Sequence, residues 1–310
     1  MSILTNKCNL FKILAQDVYL LNNIRFKSQT SSEYCLNLVR TNDYENFVCT
    51  LFLKNPHRSS ALAIRSFNIE VSKISERVSQ VDIGRMRLKF WEETIDKCFQ
   101  KDPLNVPQHP VALEIYKASL REKLTKRHFK TLIISRSELL NKNSFNTMSE
   151  LETYAEKTVS TVYYLILESC GIKNIHADHA ASHIGKAQGI TQLLRTIPLA
   201  KKINFIAIPQ DILVNHKVSH EDVLRNKISD NMVESCLDLA SRANEHLVKA
   251  RDLMSNVPSQ AKTVFLPTTA VDNYLNRLSN VQYNVFHPSL LHRSWFWLPK
   301  LWLTNYKNKY

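Results

Sequence analysis

Two stretches hold the residues whose types suggest chemistry, and in both the acids are sparse. The first is Phe67-Asn68-Ile69-Glu70-Val71-Ser72-Lys73-Ile74-Ser75-Glu76. Positions three and four after Glu70 are Lys73 and Ile74, and those after Glu76 are Ser79 and Gln80. Neither glutamate therefore has an acidic partner at helical spacing. The second stretch runs from His179 to Gln210 without Asp or Glu. It contains Gly185-Lys186-Ala187-Gln188-Gly189-Ile190-Thr191-Gln192-Leu193-Leu194-Arg195-Thr196-Ile197-Pro198, followed by Ile208-Pro209-Gln210-Asp211-Ile212-Leu213. Carboxylates at i and i+4 on one helix face would offer Mg²⁺ hard oxygen ligands. Neither stretch supplies such a pair, so no catalytic residue, metal ligand or cofactor is assigned. His179 and His183 share a face at i and i+4, but no third ligand stands at a fitting spacing. The His176–His183 cluster is expected to be a polar helix start.

Helices must position these residues. Only four glycines occur in 310 residues, Gly84, Gly171, Gly185 and Gly189, which disfavours tight hairpins and bulges. Apolar residues recur near helical period from Ser229 to Met254 through Leu237, Leu239, Ala240, Ala243, Leu247, Ala250 and Leu253. A like stripe runs from Met148 through Leu151, Tyr154, Ala155, Val159, Val162, Leu165 and Ile166 toward Gly171, a helix stop. The fold class is all-α, with about ten helices. Pro103, Pro107 and Pro110 mark one connection and Pro258 and Pro267 another; neither separates domains, and no internal repeat occurs. The six cysteines lack CxxC spacing and are expected as reduced, mostly buried thiols.

The ends differ in composition from the middle. Residues 1–32 carry Lys7, Lys12, Arg25 and Lys27 against Asp17 alone, with serines and a threonine near the end, as in a mitochondrial transit peptide. Residues 33–285 are expected to form the helical domain and 286–310 a basic aromatic tail. From Asn273 to Tyr310 there is no acidic side chain, and Trp295, Trp297, Lys300 and Trp302 stand close together. Such a mixture suits a lipid headgroup layer, where anionic lipid would answer part of the net charge of +13. The alternative is a terminal helix whose aromatics fill the core. No run of 18 apolar residues exists to cross a membrane. A basic stripe interleaved with stacking aromatics is absent, so nucleic acid is not an expected partner.

The two stretches resemble the paired signatures of the squalene/phytoene synthase family, F-C-R-x-x-D-D-x-x-D and G-x-A-x-Q-L-T-N-I-L-R-D-V-x-E-D followed by L-P-x-D-x-L. On that pattern Ser72 and Lys73 take the adjacent acidic positions of the first signature, and Glu76 alone survives. Thr196, Leu199 and Ala200 take those of the second. The likeness covers roughly residues 59–278. It implies an isoprenoid-synthase-like bundle around a central cavity. A non-catalytic branch shows the same loss of acids with an R-S-F-N-x-E pattern, here Arg65–Glu70, and an R-M-x-F-W pattern, here extended to Arg85-Met86-Arg87-Leu88-Lys89-Phe90-Trp91. That branch assists assembly of mitochondrial respiratory complex I, the NADH:ubiquinone oxidoreductase. The resemblance implies complex I subunits or other assembly factors as partners, at the matrix side of the inner membrane.

Three readings follow. In the first, a scaffold without its metal site keeps a cavity for an apolar ligand or a partner's helix, with Arg65, Glu76, Gln188, Gln192 and Arg195 as candidate wall residues. Arg195 could equally make a surface ion pair, the glutamines could simply bridge helices, and Glu76 is expected in a buried ion pair. In the second, displaced acids such as Asp178 or Asp211 serve a working prenyl diphosphate synthase. In the third, a basic helical adaptor binds RNA or an acidic partner.

Overall fold

A computed structural model describes residues 29–78, 80–292, 294 and 297–310. The greater part of the expected leader, with Cys8, and the tail residues Arg293 and Trp295 lie outside the described residues. Among the described residues no strand forms, and the one extended pairing is an isolated bridge between Ser144 and Ile206.

The first helix, α1 (Ser31–Asn42), starts from a capping box: Thr30 Oγ1 accepts from the Glu33 backbone N–H, and the Glu33 carboxylate accepts from the Thr30 backbone N–H. The expected leader boundary at residue 32 therefore falls inside the first turn of α1. There follow α2 (Tyr44–Thr50), α3 (His57–Ser72), a 3₁₀ turn (Ser75–Arg77), α4 (Val81–Phe99), α5 (Pro110–Arg121) and α6 (Lys126–Leu139). Pro110 opens α5 at its first turn, where its missing N–H costs nothing. The stripe beginning at Met148 forms α7 (Met148–Ala155), a π segment (Glu156–Ser160) and α8 (Thr161–Ser169). It ends at Gly171, whose φ of +71° lets the Ile172 N–H reach back to the Leu167 carbonyl at 3.0 Å.

The second half comprises α9 (Ile175–Thr196), a 3₁₀ turn (Ile197–Leu199), α10 (Ala200–Ile203), α11 (Gln210–Asn215), α12 (His220–Leu224), α13 (Asp230–Asp252), α14 (Ser259–Lys262), α15 (Thr268–Asn280) and α16 (Trp297–Tyr306). The longer of these match the expected ten or so; the short ones punctuate connections. Asn174 caps α9 by accepting from the Ala177 N–H at 2.9 Å, so His176 and Asp178 fall in the helix's first turn, while His183 lies about two turns further in.

One apolar core lies between α3, α4, α5, α6 and α8, where the fully buried Phe67 meets Trp91 and Phe129 edge-on at 5.5 and 5.3 Å. A second joins α9, α13 and α15 through Ile190, Leu194, Leu239, Ala243 and Leu278. Leu237, counted in the α13 stripe, faces outward instead. Gly185 and Gly189 explain how α9 meets the end of α7 and the π segment so closely. A Cβ on Gly185 would lie 2.5 Å from the Ser160 backbone, and one on Gly189 2.5 Å from Ala155 Cβ.

The segment expected as a separate tail is packed onto the domain. Trp297 and Leu301 of α16 are buried against Cys49, Leu266 and Ala270, and Tyr310 donates to the Ala250 carbonyl at 3.0 Å. The five described cysteines are free thiols, and all but the half-buried Cys170 are buried.

Candidate functional site

A cavity of about 360 Å³ lies where α9 faces the corner between α1 and α2. Gln188, Gln192 and Arg195 reach it from α9, Asn42 to Asn46 from the corner, Tyr274 from α15, and Trp297 from α16. The α9 residues are spaced i, i+4, i+7, so one helix face lines the wall. The first signature helix, α3, touches this corner through Arg65 and Lys73: Arg65 pairs with Asp43 and the Lys73 ammonium donates to Asn42 Oδ1.

Most polar groups of this wall are satisfied from within, the buried Arg195 Nε being an exception among the described residues. Gln188 is buried, accepts from the Tyr163 hydroxyl at 2.6 Å and donates to Asn46 Oδ1 at 3.3 Å. Asn46 in turn donates to Asp43 Oδ1 at 2.8 Å, and the buried Arg65 donates through Nε to Thr50 Oγ1 at 3.1 Å. Arg65 Nη1 stands 3.9 Å from Asp43 Oδ2. Burial pushes the Asp43 carboxyl above its ordinary range, and the Arg65 guanidinium and the Asn46 amide pull it back. Burial likewise raises the Tyr163 phenol. Arg195 donates to Glu45 Oε2 at 2.7 Å and lies over the Tyr274 ring at 4.5 Å. Arg65 and Arg195 are thus answered by Asp43 and Glu45, which commits both carboxylates to guanidinium groups, while Arg277, also on the cavity wall, donates to the Ser289 and His292 carbonyls.

The positions that the resemblance sets against the signature acids do not share one helix face. Helix α9 ends at Thr196, whose hydroxyl donates back to the Leu193 carbonyl at 2.7 Å. Pro198 lacks an N–H and its ring would clash with the Leu194 carbonyl in a continued helix, so the chain turns into a 3₁₀ segment. Leu199 then faces outward and Ala200 is buried in the second core. Ser72 is the last residue of α3 and is exposed. Asp178 lies on the first turn of α9, and Asp211 accepts from the Met148 N–H at 3.1 Å. Among the described residues no three His, Cys, Asp or Glu side chains are grouped as a metal would require.

Of the candidate wall residues, the fold brings together Gln188, Gln192, Arg195 and, through Asp43, Arg65. Glu76 is a correction: it is exposed on the 3₁₀ turn after α3, without a buried ion pair, because the helix ends four residues earlier and points the turn outward. Asp43, Glu45, Tyr163 and Tyr274 escape the sequence reading, since no spacing ties them to their partners; Glu45 and Arg195 are 150 positions apart. Of the aromatic tail, Trp297 is buried and so corrected as a membrane contact. Its ring fills the gap beside Ala270. Lys300 is half-exposed and pairs with Asp272 at 3.5 Å. Trp302 is 61% exposed and stacks on Tyr306 at 5.7 Å.

A second polar cluster joins α9 to α13. His183 Nδ1 lies 2.9 Å from His246 Nδ1, and His246 Nε2 lies 3.3 Å from Glu152. Burial and the neighbouring His246 push His183 down to about 4.

The profile of the squalene/phytoene synthase family matches residues 39–297. The chain is 41% identical over 280 residues to a Bos taurus protein called NADH dehydrogenase (ubiquinone) complex I, assembly factor 6, covering 90% of this chain and 83% of that one. It is 42% identical over 271 residues to the Drosophila melanogaster homolog of that factor, covering 86% and 81%. A crystal structure of a dehydrosqualene synthase shares the fold with a TM-score of 0.76 at 14% identity, covering 89% of this chain and 95% of that one. With two signatures recognisable in sequence, a helical bundle that positions them, and a profile match along most of its length, the chain belongs to the squalene/phytoene synthase family.

Proposed function

We propose that this chain is a non-catalytic member of its family that assists assembly of mitochondrial respiratory complex I. The observation that carries this reading is the correspondence, along 90% of the chain, with a relative called a complex I assembly factor. The site's chemistry supports the non-catalytic part. Mg²⁺ needs oxygen ligands, yet the signature positions hold Ser72, Lys73, Thr196, Leu199 and Ala200. The Lys73 ammonium stands at the cavity's corner, where it would repel the ion.

In this reading the cavity is a receptor for an apolar group, a lipid or prenyl chain or a side chain of a complex I subunit. Its volume is near the small end of ligand sites, roughly 300–1,000 Å³. Val271, Tyr274 and Trp297 supply apolar wall above the neutralised ion pairs. The protein works at the matrix face of the inner membrane, held there peripherally. Among the described residues no helix is long and apolar enough to cross a membrane. The exposed Leu291, Trp302, Leu303 and Tyr306, with Lys307 and Lys309 close by, are the surface that meets anionic lipid.

The test is quantification of assembled complex I on native gels after depletion of this protein and after its return. Loss on depletion and recovery on return is expected. An unchanged level refutes the reading.

A further inference from the structure

Helix α4 carries two apolar stripes, and the fold uses only one. Gly84, Leu88, Trp91, Ile95 and Cys98 face the core. Offset by one residue, Ile83, Met86 and Phe90 are 40%, 72% and 46% exposed, at i, i+3 and i+7 along the helix. This stripe is one wall of a groove of about 360 Å³, closed on the other side by Ile74 and Arg77 of the turn that follows α3. Trp91 lies at its base, with Phe90 edge-on to it at 5.6 Å. The groove takes up much of the Arg85–Trp91 motif, which has no part in the cavity beneath α9.

The charges at the rim are of one sign once internal pairs are removed. Glu70 is buried beneath the groove, where the Tyr34 hydroxyl donates to it at 3.0 Å and Arg77 stands 3.5 Å away. Asp82 is taken by Arg85 at 3.1 Å. Arg87 lines the groove, is exposed, and among the described residues has no acidic partner within ion-pair distance. Arg77 remains half-exposed beyond its contact with Glu70. An apolar trough with a cationic rim fits a partner that brings an apolar ridge edged with acids.

We propose that this groove docks an amphipathic helix of a partner protein, with apolar residues repeating at i, i+3, i+4 and i+7 and glutamate or aspartate along one flank. The eight residues of α4 from Ile83 to Phe90 span roughly 10 Å at about 1.5 Å per step, about two turns of such a ridge. Burial of Met86 and Phe90 would supply the affinity, and Arg87 would select the acidic flank. The proposal is independent of what fills the cavity and of which complex is the client.

The test uses the full chain and a fluorescent synthetic helix with leucines in that repeat and glutamates on the flank. Its controls are a scrambled peptide and one with lysines replacing the glutamates. Saturable binding of the glutamate helix is expected, weakened at least about tenfold in Met86→Glu/Phe90→Glu, as for other central anchors. Arg87→Glu should weaken it about threefold, the scale of one exposed ion pair, and improve binding of the lysine helix. All these side chains are exposed, so unchanged far-UV circular dichroism and melting midpoint should accompany the loss. Absence of saturable binding, equal binding of the scrambled or lysine helix, or indifference to the double substitution would overturn the proposal. So would a finding that the double substitution abolishes sedimentation with cardiolipin vesicles while peptide binding persists, because the face would then be a lipid contact.

Discussion

Replacing Arg65 by Met probes the wall of the cavity, because the buried Arg65 is the cation that the half-buried Asp43 depends on. Removing one partner of a buried pair costs about 3–5 kcal/mol. The Asp43 side chain keeps 24% of its exposure and the pair is separated by 3.9 Å, so solvent already shares the load. The lost bond to Thr50 adds about 1 kcal/mol, and a net destabilisation of about 2–4 kcal/mol is expected for Arg65→Met at pH 7. The sign of the pH dependence follows from Asp43, whose carboxyl already sits above its ordinary value. An acid raised in the folded state binds protons more tightly there than in the unfolded chain, so its contribution is present at low pH and is lost as pH rises through the folded value. Without Arg65 the value climbs further. Arg65→Met should therefore recover stability between pH 7 and pH 5, and Arg65→Met/Asp43→Asn should be more stable than the single variant at pH 7 and show no such recovery. Urea denaturation followed by circular dichroism at both pH values measures this. A single variant within about 0.5 kcal/mol of the parent, or a double variant less stable than the single one, would refute the buried-pair account.

Gly185→Ala should be severely destabilising, by about 3 kcal/mol or more, because the new methyl meets the Ser160 backbone at 2.5 Å rather than a side chain that could move; a melting midpoint within a few degrees of the parent would contradict this. His183 is lowered to about 4, so the folded state resists its protonation and stability is lost as pH falls from about 6.5 toward that value. His183→Asn, whose amide can still meet His246 Nδ1, should flatten that loss by about 1 kcal/mol after screening, read from denaturation midpoints at pH 7 and 5. Trp302→Ser/Tyr306→Ser removes an exposed stack and should lower sedimentation with cardiolipin vesicles severalfold without moving the melting midpoint; undiminished sedimentation would remove α16 as the lipid contact.

The helical fold was legible from what the chain lacks and repeats. Four glycines left little scope for hairpins, and the stripes ending at Gly171 and near Met254 became α7 to α8 and α13. The face of α9 that lines the cavity was legible too, because Gln188, Gln192 and Arg195 keep helical spacing. What opposes that face was not. Asp43 and Glu45 belong to a corner whose contacts join residues far apart in the chain, and no local pattern encodes such a pairing. Trp297 and Trp302 show the same limit at closer range. They are five residues apart in one amphipathic segment, and only the location of Ala270 and Leu266 decides that the first is buried and the second exposed. Pro198 was visible in the sequence, and its effect of turning Leu199 and Ala200 away from the α9 face follows from its missing donor.

The central claim is that this fold retains a cavity but not the means to hold magnesium in it. The most direct measurement is diphosphate release by the purified protein from a prenyl diphosphate with Mg²⁺, with and without EDTA. No release above the buffer rate, with or without chelator, is the result expected. Sustained release that EDTA abolishes would contradict the account.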